Sequence, residues 1–119
     1  MKVISSFIHG LIDYIVVIFL WTAPFMFEMS DLVSNALFIL GGVHLLLTIL
    51  TDYDLGIIKL IPLAAHGLIE LIVAILLVAS PWLLQVSDQP TDRNFLVIFA
   101  VAVLLIWLLS DYQQKRDVP

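Results

Sequence analysis

No cysteine occurs among the 119 residues. That excludes disulfides, thiolate metal sites and thiol redox chemistry. Charge is scarce too: Asp, Glu, Lys and Arg make up 13% of the chain, against roughly 25% in an average soluble domain. No run of Lys or Arg is present and the net charge is −5, which argues against nucleic-acid binding and against an anchor for anionic lipid. A Gly-rich phosphate loop, a Ser/His/Asp order and a zinc-protease His-Glu-x-x-His are all missing, so the sequence points away from an enzyme.

What fills the chain is apolar. Hydrophobic residues account for 62% of it and fall into four blocks, Val3–Phe27, Leu32–Leu50, Ile57–Leu84 and Phe95–Leu109. A membrane-spanning helix needs about 20 mostly apolar residues. The first three blocks meet this; the fourth must borrow Asn94 and Ser110. The first carries Asp13 in its middle and no small-x-small cleavage site, so it reads as a retained helix rather than a signal peptide. The expectation is an all-α membrane protein, a bundle of four transmembrane helices forming a single domain over residues 1–119, with the lipid bilayer as its surroundings. Lys2, Lys59, Lys115 and Arg116 lie on one side and only Arg93 on the other. Positively charged connectors stay inside, so both termini are expected in the cytoplasm and the chain in the cell (inner) membrane. Trp21, Phe25, Phe27 and Trp82 are assigned to the outer aromatic belt, and Tyr53, Trp107 and Tyr112 to the inner one.

The chain contains an internal repeat, over about residues 3–54 and 57–113. His9-Gly10-Leu11-Ile12-Asp13 returns as His66-Gly67-Leu68-Ile69-Glu70, Pro24 as Pro81, Asn35 as Asn94, and Asp52-Tyr53 as Asp111-Tyr112. Chance matches among apolar residues are common, but this polar set is too specific for chance. Each unit holds two spans, so both insert the same way round, and a tandem duplication predicts a pseudo-twofold axis along the membrane normal. Pro24 and Pro81 are expected to stop the first and third helices, and Pro62 to lie near the start of the third. Gly10, Gly41, Gly42 and Gly67 are expected to allow close helix approach, Tyr14 to pack, and Thr51–Lys59 to form a tight turn.

Ser80-Pro81-Trp82 at the end of the third span, with Thr22-Ala23-Pro24-Phe25 at the equivalent place in the first, resembles the SPW-repeat family of small bacterial and archaeal membrane proteins. Only the second unit has the motif intact. The resemblance implies membrane topology and carries no activity.

Five ionisable residues stand out within the apolar blocks: His9, Asp13, His44, His66 and Glu70. Such residues cost about 2.5–3.5 kcal/mol at a helix centre on insertion scales and face the bundle interior. His9 and Asp13 are four apart, on one helix face, and His66 and Glu70 repeat the arrangement. His44 belongs to a stripe at Ser34, Leu37, Gly41, His44, Thr48 and Thr51, whose counterpart is Arg93, Leu96, Ala100, Val103, Trp107 and Ser110. The second stripe has no histidine, which rules out a symmetric four-histidine site. Three readings stay open. The cluster, with Asp52-Tyr53 and Asp111-Tyr112 as caps, sets helix register in a structural or interaction role. Alternatively it binds Zn, Fe or Mn, or a haem between His9 and His66. The third reading is proton-linked transport or ion conduction, for which four short helices would require a homo-oligomer.

Overall fold

The computed structural model describes residues 2–113; Lys115 and Arg116 of the charge count lie outside them. Four helices follow one another: α1 Ser6–Met26, α2 Asp31–Leu50, α3 Leu63–Leu83 and α4 Pro90–Leu109. Each is long and apolar enough to cross a membrane. α1 packs on α2 and α3 on α4. The end of the bundle where α1 and α3 begin and α2 and α4 finish is called proximal here, the other distal. At the distal half Leu20, Ala23, Leu37, Leu77, Leu96 and Phe99 belong to one buried apolar cluster. Ile15, Ile18, Ile39, Leu68, Ile75, Ile98 and Leu105 point outward and are exposed, as a lipid-facing surface requires.

Local chemistry explains the helix ends. Ser5 and Ser30 cap α1 and α2, their hydroxyls accepting from the backbone N–H of Ile8 and Val33 at 3.3 Å. The apolar block expected from Ile57 does not become helix until Leu63. Pro62 biases its predecessor toward extended backbone and sits as N-cap. α4 begins earlier than its apolar block, because Pro90 suits the first helical turn and Asp92 accepts from Ser30 N–H at 3.1 Å. The prolines of α1 and α3 are not the stops expected of them: both lie within the last turn, and the helices continue to Met26 and Leu83. α3 closes instead with Val86 N–H on the Pro81 carbonyl and Gln85 N–H on that of Trp82, Gln85 adopting φ 59°. Pro81 has no N–H for the Leu77 carbonyl, and the Ser80 hydroxyl donates to that carbonyl at 2.7 Å. Ser-Pro is thus a self-repairing helix terminus.

The proximal end is built by two extended segments that meet two helix C-termini. Leu60 and Ile61 N–H donate to the Leu50 carbonyl, and Val3 and Ile4 N–H to that of Leu109. In return Asp52 N–H donates to Ile61 and Asp111 N–H to Ile4. Carbonyls that would be orphaned at the helix ends are satisfied here by the segments leading into α3 and α1. The connector after α2 is therefore more than a tight turn. It folds back under the bundle and carries Tyr53 to 0% exposure, so Tyr53 is a core residue and not part of an aromatic belt. The glycines divide likewise. A Cβ on Gly10 would meet Leu55 at 3.0 Å, one on Gly67 would meet the Tyr112 ring at 2.7 Å, and Gly41 accommodates the Trp21 indole. Gly42 faces open space and permits no close approach.

Candidate metal centre

The buried face of α1 runs through Ser6, His9, Gly10, Asp13, Val17 and Leu20, and that of α3 through Leu63, His66, Gly67, Glu70, Ala74 and Leu77. Steps of three and four residues keep each set on one stripe. Both stripes face the bundle interior, so the two His/acid pairs meet in its proximal half. His9, Asp13 and His66 are 1% exposed or less and Glu70 7%. All five residues expected from the sequence are brought together.

The imidazoles are fixed from behind. His9 Nδ1 lies 2.7 Å from the Ser110 hydroxyl, and His66 Nδ1 lies 2.7 Å from the Thr51 hydroxyl. Each hydroxyl spends its one hydrogen on a carbonyl of its own helix, Ser110 on Ile106 and Thr51 on Leu47, both at 2.6 Å. Each can then only accept from the ring. Both Nδ1 atoms therefore carry a proton, and in a neutral imidazole Nε2 is left with its lone pair free. The bonds run crosswise, since Ser110 at the end of α4 serves the histidine of α1, while Thr51 at the end of α2 serves that of α3.

In front, the Nε2 atoms converge on the carboxylates. His9 Nε2 is 3.4 Å from Asp13 Oδ1 and 3.2 Å from Glu70 Oε2; His66 Nε2 is 3.3 Å from Asp13 Oδ2 and 3.7 Å from Glu70 Oε2; His44 Nε2 is 3.3 Å from Asp13 Oδ1. None of the three Nε2 atoms, all buried, makes a hydrogen bond of good geometry, though each lies at ion-pair distance from a carboxylate. Donors of His9, Asp13, His66 and Glu70 all lie within 4.8 Å of one another. A tetrahedral ion with bonds near 2.1 Å separates its ligands by roughly 3.4 Å, which the 3.2–3.7 Å contacts bracket. Charge is compatible with an ion: the charge of two buried carboxylates, Asp13 and Glu70, is what one divalent cation would balance.

The tyrosines complete the surroundings. The Tyr53 hydroxyl donates to Asp13 Oδ2 at 2.6 Å, and the Tyr112 hydroxyl donates to Glu70 Oε2. Burial, reinforced by the neighbouring carboxylate, pushes both phenols well above the ordinary tyrosine range, so both remain donors. The sequence pointed to the tyrosines as caps and placed Thr51 and Ser110 on the stripes of the second and fourth helices, but assigned neither to a particular histidine. Their signal was a hydroxyl residue directly before each Asp-Tyr. Tyr14, equally close in sequence to Asp13, instead donates to the Leu55 carbonyl at 2.8 Å.

A haem does not fit. His9 and His66 ring centroids are 5.3 Å apart at 82°, with Asp13 and Glu70 closing the gap between them; a macrocycle has no plane to occupy. Comparison with protein-family models, curated proteins and solved structures finds no match.

Proposed function

We propose that this protein is a metal-binding membrane protein whose proximal half holds one divalent first-row transition ion on His9, Asp13, His66 and Glu70, with His44 as a further donor. The observation that carries this reading is the convergence of imidazole and carboxylate donors of His9, Asp13, His66 and Glu70 within 4.8 Å of one another, with each Nδ1 held from behind. Imidazole–carboxylate donor sets without thiolate suit zinc, iron or manganese. Metal-bound histidines characteristically donate their other N–H to such an outer partner. The same 3.2–3.7 Å contacts between imidazole and carboxylate also tie α1, α2 and α3 together; what favours an ion is that four donors from two helices converge on one point. Transport along a polar path is disfavoured by the apolar cluster around Leu20, Leu37, Leu77 and Phe99.

The remaining parts of the reading rest on the sequence. Lys2 and Lys59, with Lys115 and Arg116, support cytoplasmic termini and hence a centre near the cytoplasmic face of a cell membrane. The matched polar residues support a tandem duplication, and Ser80-Pro81-Trp82 supports the SPW-repeat relationship.

The test is metal analysis of protein purified in detergent, as isolated and after loading with zinc, iron(II), manganese or cobalt(II). One ion per chain is expected, held at least tenfold more weakly in His9→Ala and His66→Ala. A chain that retains none of the four ions after loading refutes the proposal.

A further inference from the structure

Both units send a residue from their second helix to the same central cavity, and there the units differ. The position is His44 on α2 and Val103 on α4. His44 turns its Nε2 toward Asp13; Val103 offers no donor. The cavity measures about 60 Å³ and begins where the cluster ends: Asp13, His44 and Glu70 line it, and the rest of its lining is aliphatic or aromatic, including Leu20, Leu77 and Phe99. One water needs roughly 10–15 Å³ of such space, so the cavity has room for a ligand of about four to six heavy atoms at most, polar at the end of the cluster and apolar along the rest.

We infer that an ion in this centre keeps a free coordination position on the Val103 side, and that this position takes a small uncharged diatomic molecule of low polarity reaching it through the bilayer interior. The inference rests on the metal-centre reading. Closed metal sites are structural and open ones bind or activate a ligand; an ion that takes six ligands, as iron(II) does with this donor class, finds five here in His9, Asp13, His44, His66 and Glu70, and Val103 supplies no sixth. An anion would have to leave water and cross the apolar walls, a cost a neutral diatomic does not bear. The cavity's volume of about 60 Å³ also sets the size limit.

The probe is nitric oxide on the iron(II)-loaded protein in detergent, read by the EPR signal of a non-haem iron–nitrosyl, with iron content measured separately. The wild type is expected to give the adduct, with azide producing at least tenfold less change in the iron(II) spectrum at equal concentration. Val103→Phe fills the cavity and Val103→His supplies the missing donor; each is expected to keep its iron and to lose at least tenfold of the nitrosyl signal. Val103→Ala keeps the iron and the adduct, and guards against misreading a packing defect. Iron bound without any nitrosyl adduct overturns the open position while leaving the metal centre intact. An adduct formed equally well in Val103→Phe and Val103→His, or azide binding as strong as nitric oxide, overturns the cavity as the route. Failure to bind iron, cobalt or zinc at all overturns both readings together.

Discussion

Replacing Thr51 by valine tests the centre without touching a ligand. The change is nearly isosteric and removes only the hydroxyl that accepts from His66 Nδ1–H at 2.7 Å. A buried N–H left without an acceptor costs about 1–3 kcal/mol. The ring escapes that cost by moving its proton to Nε2, the atom that faces Asp13 and Glu70. That tautomer cannot bind metal. Restoring the binding tautomer then draws on the same 1–3 kcal/mol, consistent with the 10–100-fold loss of affinity seen when outer partners of metal ligands are removed, or about 1.4–2.7 kcal/mol. The measurement is a chelator competition with zinc or cobalt(II) on purified Thr51→Val, repeated in a His66→Ala background. The expected result is a 10–100-fold weaker Kd in the first case and no further loss in the second. Unchanged affinity in Thr51→Val would refute the hydroxyl's role. A loss of equal size with and without His66 would mean that the hydroxyl acts by some path other than the imidazole.

Other outcomes follow from the same geometry. Metal affinity is expected to fall as pH is lowered, because protons compete with the ion for its imidazole and carboxylate donors; titrating affinity from roughly pH 8 down to pH 5 checks this. Tyr53 and Tyr112 have raised pKa values, so folding favours their neutral forms. Their contribution to stability is complete below the unfolded value of about 10 and declines as pH rises above it; in an alkaline titration their phenolate absorbance should appear only with unfolding. Gly67→Ala drives a methyl into the Tyr112 ring and away from Glu70, with an expected destabilisation of about 1–3 kcal/mol, whereas Gly42→Ala meets nothing and should gain about 0.5–1 kcal/mol from helix propensity. Thermal melts in detergent separate the two.

Much of this architecture was legible in the residues themselves, because lipid imposes long apolar runs and makes every intramembrane charge conspicuous. His9, Asp13, His66 and Glu70 declared their common face by i,i+4 spacing, and His44 its asymmetry by having Val103 as counterpart. Other features depended on tertiary contacts. Ile57–Ile61 is as apolar as any helix, and only its pairing with the end of α2 shows it to be an extended brace. Tyr53 looks like an interface aromatic until the connector carries it inward. Whether histidine faces carboxylate as a hydrogen-bond donor or as a lone pair is decided by a hydroxyl 101 residues away for His9, a separation no local pattern encodes.

The crosswise hydroxyls have one more consequence. Neither half of the molecule orients its own imidazole, so a two-helix fragment cut free at the connector would possess a histidine and an acid but no means of aiming them. Competence is a property of the pair, as it is for two keys turned in one lock. A lesion at Ser110 in one half is felt at His9 in the other. Any chain built of a single such unit would have to find a second copy before it could hold an ion at all.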